Sequence, residues 1–299
     1  MIRLVHISDI HLTCRPLGWR GKDFFTKRLP GWINLRWLGR AHRFRYSWEI
    51  LQAFAKEIQA KPPDRIIFSG DATGLGFENE LDVGTRSLGV NDLNGLPGFA
   101  VPGNHDYYTP KVAASGAFEK QFAPWQTGER IHGATYPFAQ RVGPVWLIGV
   151  NSCKGNRLFW DATGHVDDAQ LRRFQDLLKR LSPGLRVLVT HYPIARPNGE
   201  PERSDHCLLN LAELIKVATE GDVCLWLHGH QHVPYVLQRS DFVPITTIGA
   251  GSLTQTGHWS YFEYRLNQDH LQAEKRIYSL SEKRFEKAGT VEIRLQAPK

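Results

Sequence analysis

Six times along this chain a short apolar run stops abruptly at a polar cluster. Ile2–Ile7 runs into Ser8-Asp9-Ile10-His11, and Arg65–Phe68 into Ser69-Gly70-Asp71. Gly98–Val101 runs into Pro102-Gly103-Asn104-His105-Asp106, and Val145–Val150 into Asn151-Ser152. Arg186–Val189 meets Thr190-His191, and Val223–Leu227 meets His228-Gly229-His230-Gln231-His232. Apolar runs of this length, bounded by turn residues, read as buried strands.

Helical patterns fill several of the gaps. Ser47 is placed to cap a helix whose Ile50, Leu51, Phe54 and Ile58 share one face, with Pro62-Pro63 as its stop. Asp167 and Gln170 have the spacing of a capping box, and Leu171, Phe174, Leu177, Leu178 and Leu181 continue the apolar stripe. Leu208 to Thr219 reads as a third helix. Strand and helix alternate, so the fold class is α/β, or α+β once the C-terminal part is counted. After Val233 the pattern becomes strands around Ile245–Ile248, Trp259–Leu266, Leu271–Tyr278 and Thr290–Leu295, expected to form a mostly antiparallel second sheet. No internal repeat and no Pro/Gly/Ser-rich linker divides the 299 residues, so one domain over 1–299 is expected.

Composition excludes several classes. At 41% hydrophobic and 22% charged the chain is globular, not collagen, coiled coil or bulk disorder. No apolar run approaches a membrane span, and Met1–Asp9 is too short an apolar stretch for a signal peptide. The scattered Cys14, Cys153, Cys207 and Cys224 suggest reduced thiols and a cytoplasmic setting.

The net charge of +7 is local. Residues 14–46 hold nine Lys/Arg and one acid, Asp23, while the remainder is nearly neutral. The same stretch carries Trp19, Phe24, Phe25, Trp32, Trp37, Phe44 and Tyr46. Basic residues interleaved with rings fit an anionic membrane surface. They also fit a nucleic-acid groove, a weaker reading, or a solvated loop whose rings fold back on the core. Pro30-Gly31 is expected to break this insert into two short helical pieces at most.

The strand ends deliver one kind of chemistry: Asp9, His11, Asp71, Asn104, His105, His191, His230 and His232. In open α/β sheets reactive groups gather beyond the carboxyl ends of strands. Carboxylate oxygens and neutral imidazoles together hold borderline transition metals, whereas carboxylates alone favour Mg or Ca. In Asp9-x-His11 and His230-x-His232, residues two apart at an extended strand end point to one side. One Asp-x-His is commonplace; five such blocks in order are not.

These blocks resemble the calcineurin-like metallophosphoesterases, whose order is D-x-H, G-D, G-N-H-D/E, a lone H, then G-H-x-H. Here they stand as Asp9-Ile10-His11, Gly70-Asp71, Gly103-Asn104-His105-Asp106, His191 and Gly229-His230-Gln231-His232. The resemblance implies a four-layer αββα sandwich with two divalent metal ions, Mn, Fe or Zn. One ion would take Asp9, His11 and His232, the other Asn104, His191 and His230, with Asp71 bridging. It further implies hydrolysis of a phosphodiester or pyrophosphate by a metal-bridging hydroxide. His105 would give the leaving group its proton, with Asp106 orienting the His105 ring. Asn151, at a strand end on the same edge, and Arg15, at the start of the insert, are candidate substrate-binding residues; a turn-forming Asn151 is an equal reading. His6 and His228 are read as buried packing groups, and Cys14 as packing.

The run Phe24 to Leu35 also resembles, more faintly, the branch containing UDP-2,3-diacylglucosamine pyrophosphohydrolases. That suggests a lipid-linked nucleotide substrate met at the inner face of a membrane, with residues 14–46 as the docking segment. The alternatives are a cyclic-nucleotide phosphodiesterase, a nuclease, and a protein-binding scaffold on the same fold. All seven ligand positions are filled, which speaks against the scaffold. Nothing in the pattern bears on oligomeric state.

Overall fold

Every apolar run named above forms a strand. The protein is described by a computed structural model covering residues 1–92 and 95–295. Its strands are β1 (Ile2–Ile7), β2 (Arg65–Phe68), β3 (Gly98–Ala100), β4 (Glu129–Arg130), β5 (Phe138–Val142), β6 (Val145–Gly149) and β7 (Leu185–Val189). They continue as β8 (Val223–His228), β9 (Pro234–Leu237), β10 (Thr247–Ala250), β11 (Ser260–Asn267), β12 (His270–Ser279) and β13 (Arg284–Arg294). The helices are α1 (Arg28–Trp37), α2 (Ser47–Ala60), α3 (Glu78–Ser87), α4 (Pro110–Ala113), α5 (Ala117–Gln121), α6 (Asp168–Arg180) and α7 (Leu211–Glu220).

The strands make two mixed sheets, ordered β13-β12-β11-β1-β2-β3 and β4-β5-β6-β7-β8-β10-β9. Side chains alternate across each strand, which decides the layers. Leu4, Ile67 and Phe99 of the first sheet share one apolar cluster with Leu147, Val187 and Leu225 of the second. Their neighbours Val5, Ile66 and Phe68 turn the other way and join Ile50 and Phe54 of α2. Ile148, Leu188 and Trp226 likewise join Phe174 and Leu177 of α6 and Leu214 of α7. The result is helix, sheet, sheet, helix. Each fully buried Ile, Leu, Val or Phe in these layers contributes about 1.5–3 kcal/mol.

β1, β2 and β3 run parallel, as do β6, β7, β8 and β10. Parallel strands end at the same edge, so the polar clusters following β1, β2, β3, β7 and β8 are delivered there together.

Four local expectations are corrected. Ser47 is the first residue of α2 rather than its cap: Tyr46 precedes the helix, and Ser47 Oγ donates to Phe44 O at 2.6 Å. Asp167 does cap α6, accepting from Gln170 N at 2.9 Å, but Gln170 does not reach back to it. Its amide instead bonds both the N–H and the C=O of Asn151.

Pro30-Gly31 does not interrupt α1. Pro30 falls in the first turn, where the N–H it lacks has no intrahelical partner anyway. Gly31 allows close packing, since a Cβ there would lie 2.1 Å from Tyr108 Oη. The insert thus holds three helical pieces, α1 flanked by 3₁₀ turns at Gly21–Phe25 and Arg40–Phe44.

The strands after Val233 form no sheet of their own. β10 pairs parallel to β8, and β11 pairs antiparallel to β1, so the C-terminal segment completes both sheets.

Candidate metal centre

Five residues at the strand ends hold backbone conformations that side chains disfavour. Asp9 (φ 54°), His11 (39°), Asp71 (63°), His230 (70°) and His232 (59°) all lie in the left-handed region. They are five of the nine such non-glycine residues among those described. Each costs on the order of 1–3 kcal/mol and persists where the surroundings over-determine it. Here the loops are laced together: Asp9 N donates to Gly70 O at 2.9 Å, His11 N to Asp71 O at 3.0 Å, and Gly229 N to His191 O at 3.1 Å.

Glycine is required at two of these joints. A Cβ on Gly103 would stand 2.0 Å from Asp71 Oδ1, and one on Gly229 2.5 Å from Asp9 Oδ2. Asp106 completes the clamp. Its carboxylate accepts from Asp71 N (2.8 Å), Gly103 N (2.9 Å) and Thr73 N (3.1 Å). Those bonds fix the loops after β2 and β3, so Asp106 does not orient the His105 ring, contrary to expectation.

Each of the four histidines spends one ring nitrogen outward. Nδ1 of His11 faces Thr73 O at 3.1 Å, and Nδ1 of His191 faces Ser69 O at 2.8 Å. His232 Nδ1 faces Gln255 Oε1, and His230 Nε2 faces His206 O at 3.1 Å. An oxygen acceptor draws one ring proton outward, so the other nitrogen of each ring faces inward and, in the neutral ring, offers a lone pair there.

Those inward nitrogens meet oxygens. His232 Nε2 is 3.1 Å from Asp9 Oδ1 and 3.0 Å from His11 Nε2. His191 Nε2 and His230 Nδ1 are 3.0 and 3.1 Å from Asn104 Oδ1. Between the two groups, Asp71 Oδ2 lies 3.5 Å from both His11 Nε2 and His191 Nε2. The second oxygen of each carboxylate is occupied: Asp71 Oδ1 accepts from His105 N at 2.7 Å, and Asp9 Oδ2 from His230 N at 3.1 Å. Asp9 Oδ1 is left buried without a donor.

Burial would raise both carboxyls. His232 and His11 hold Asp9 well below the usual range instead, and His191, His105 and His11 do the same for Asp71. Seven ligand atoms therefore converge with two negative charges, which draw positive charge onto the rings they face: burial lowers His191 and His232, but Asp71 and Asp9 outweigh it and lift His191 to about 9. Cations satisfy such a set. Ligand atoms of Asp9, His11, Asp71 and His232 lie within 4.8 Å of one another. The donor set of nitrogen and oxygen, without thiolate, fits divalent metals, and the two groups sharing Asp71 make it a dimetal-type site.

His105 stands beside this set in a cavity of about 460 Å³. Its Nδ1 faces Gly74 O at 2.8 Å, and Arg40 Nη2 donates to its Nε2 at 3.0 Å. Arg40 belongs to the basic insert, and with Arg43 and Phe44 it lines the cavity. Spacing gave no means of telling which of nine basic residues reaches inward. His206, set aside as lacking a motif, also lines the cavity.

The two candidate substrate residues do not. Arg15 is exposed and away from the cavity lining. Asn151 Oδ1 accepts from Cys153 N at 2.9 Å, a turn-forming role. His6 is a packing group, bonded through Nδ1 to Tyr264 Oη and through Nε2 to Ser69 Oγ, both at 2.9 Å. His228 is likewise buried.

Comparison with known proteins agrees with this geometry. A model of the calcineurin-like phosphoesterases matches residues 2–234, and the chain belongs to that family. No curated protein sequence matches significantly. Among solved structures, a dimetal phosphatase from Danio rerio superposes with a TM-score of 0.65 at 13% identity, covering 99% of each chain. GAP50 of Plasmodium, described as the anchor in the inner membrane complex, gives 0.57 at 11%, covering 99% of this chain and 89% of its own. Purple acid phosphatase PPD1 from yellow lupin gives 0.57 at 13%, covering 98% and 53%. At these identities the likeness is one of fold. Fold and family together make the protein a metal-dependent phosphoester hydrolase.

Proposed function

We propose that this hydrolase cleaves a phosphodiester or pyrophosphate bond in an amphiphilic, nucleotide-linked substrate, of the kind of UDP-2,3-diacylglucosamine, at an anionic membrane surface. In this reading Asp9, His11 and His232 hold one divalent ion, Asn104, His191 and His230 the other, and Asp71 both. When bound, such a pair activates water and offsets charge growing on phosphate oxygens. The convergence of six ligand atoms in two groups on either side of Asp71 carries the chemistry.

His105 is the residue placed to meet the leaving oxygen. Its Nδ1 anchors on Gly74 O, which aims Nε2 into the cavity. In this tautomer Nε2 holds a lone pair that accepts from Arg40, so giving a proton to the leaving oxygen requires the ring first to take one up and Arg40 to release it. His105→Ala is expected to lose turnover while keeping metal.

The insert supports the membrane part of the reading by dividing its apolar residues. Trp19, Trp32 and Leu35 fold back on Leu75, Phe77 and Tyr108. Arg28 locks that contact by pairing with Asp23 at 2.7 Å and lying over the Phe77 ring at 3.9 Å. Phe25, Trp37 and Leu38 remain 92%, 77% and 73% exposed in a segment that also presents Arg36, Arg43 and Arg45. Rings and cations together suit a headgroup layer. Among the described residues no helix is long and apolar enough to cross a membrane.

A panel of bis-p-nitrophenyl phosphate, cyclic AMP and UDP-diacylglucosamine, with added Mn and with or without anionic vesicles, tests the reading. Turnover of the lipid nucleotide that rises with vesicles, and falls in Trp37→Ala/Leu38→Asp, supports it. Preference for cyclic AMP, indifferent to vesicles, replaces it.

A further inference from the structure

Beside the metal cavity lies a second of about 260 Å³, sharing Asn104, His105 and Arg40 with it. Two cations of the insert, Lys27 and Arg40, reach this space. Neither is paired with a carboxylate among the described residues, unlike Arg28 of the same insert, which is matched to Asp23. Lys27 is only 7% exposed. Its ammonium group has three protons to donate, yet its contacts are the Asp161 carbonyl at 3.5 Å and the Tyr108 ring face at 4.4 Å. Burial pulls the amine down to about 8, with Asp161 and Asp71 partly opposing it and Arg40 adding to it. Arg40 spends one nitrogen on His105, and among the described residues no carboxylate lies at ion-pair distance from it.

Holding Lys27 out of water beside the half-buried Arg40, with neither at ion-pair distance from a carboxylate among the described residues, is costly, and folding alone gives no return for it. An anion that arrives with the substrate does. The space adjoins Asn104, itself one of the acceptor cluster, and His105, and it is lined also by Tyr108, Phe159, Trp160 and the acidic Asp161.

We propose that Lys27 and Arg40 form a second anion subsite that holds the departing phosphate of a diphosphate substrate. The proposal rests on the hydrolase reading and narrows it from phosphodiesters in general to phosphoanhydrides. Hydrolysis consumes one water, whose oxygen joins the phosphorus held beside Asp71 and Asn104. The bond from that phosphorus to the bridging oxygen breaks, and the oxygen leaves with the electron pair on the second phosphate. The protons of the water pass to the products or to solvent. Lys27 and Arg40 offset the charge gained by the departing group, an interaction that a monoester or a cyclic diester cannot use.

UMP and UDP differ by one phosphate, so their relative affinity for the Mn-loaded protein reads the subsite directly. Titration calorimetry is expected to show UDP bound more tightly than UMP. Lys27→Met, which keeps the apolar stem and removes the charge, should weaken UDP by about tenfold or more and leave UMP within about twofold. Lys27→Arg should restore most of the preference, and Arg15→Ala, an exposed arginine of the same insert, should not disturb it. In parallel, Lys27→Met should raise KM for a UDP-linked sugar while sparing kcat/KM for bis-p-nitrophenyl phosphate. Its melting temperature should match or exceed that of the parent, since a buried unpaired charge has been removed.

Equal affinity for UMP and UDP in the parent, failure to bind either, or equal losses of both in Lys27→Met would overturn the subsite. A parent protein that hydrolyses neither ester would instead defeat the hydrolase reading, while the UMP/UDP comparison still decides the subsite.

Discussion

The Nε2 atoms of His11 and His232 lie 3.0 Å apart although each ring already directs Nδ1 at an oxygen. Two lone pairs at that distance repel unless a proton or a metal ion sits between them and Asp9 Oδ1, and Asp9 favours positive charge there, raising His232 against the effect of burial. The arrangement demands positive charge, which a divalent ion supplies. Anything that binds the folded chain alone adds RT ln(1 + [L]/Kd), about 2.7 kcal/mol at a hundredfold excess over Kd. Added Mn should raise the melting temperature of chelator-treated protein by several degrees, and Asn104→Ala should retain only part of that rise. A melting temperature indifferent to metal would contradict the picture.

Gly103 and Asp71 test how tightly the loops are built. With a Cβ placed 2.0 Å from Asp71 Oδ1, Gly103→Ala must displace the carboxylate or the loop after β3. The expected outcome is loss of metal binding together with about 1–3 kcal/mol of stability, the usual cost of overpacking. Gly199→Ala, where a Cβ meets nothing within 4 Å, is a comparison in which only the backbone preference at φ 82° is disturbed. Metal retained at parental level in Gly103→Ala would refute the close approach.

Glu80 gives the fold a pH dependence separate from the metal centre. Its Oε2 accepts from Leu75 N at 2.9 Å and Phe77 N at 3.1 Å, fastening the start of α3, while burial pushes the carboxyl up to about 7. The folded state thus holds this proton more tightly than the unfolded chain, whose value is near 4.5. Stability from this group is complete below the unfolded value and is lost as the pH rises from there through about 7, by roughly 3 kcal/mol. Urea unfolding of Glu80→Gln should show a flatter stability profile than the parent between about pH 5 and pH 8. Parallel profiles would show that Glu80 is ionised in both states.

The strand ends were legible because an apolar run followed by Asp, Asn or His is local information. β1 to β3, β7 and β8 each carry their ligand within a few residues. Pairing across long stretches of chain was not. β11 looks the same in sequence whether it joins β12 alone or also β1, and its bond with β1 spans most of the chain. The break expected at Pro30-Gly31 failed because what a proline does depends on its place in the turn. Asp106 was misjudged for a similar reason: its neighbour in sequence is His105, but its three donors are the amides of Asp71, Thr73 and Gly103. Among the insert's cations, Arg40 and Lys27 differ from Arg15 only in where the fold carries them. Charge counting marks the segment but cannot pick the residue.

Metal content and hydrolysis measured on the same preparations test the centre most directly. Elemental analysis of the purified chain should find two divalent ions per molecule, and bis-p-nitrophenyl phosphate should be hydrolysed in proportion to their occupancy. Asp71→Ala, which removes the oxygen shared by both groups of acceptors, should carry fewer than one ion and lose hydrolysis by a factor of about a hundred or more. Full activity after exhaustive chelation, or two ions and parental turnover in Asp71→Ala, would contradict the account.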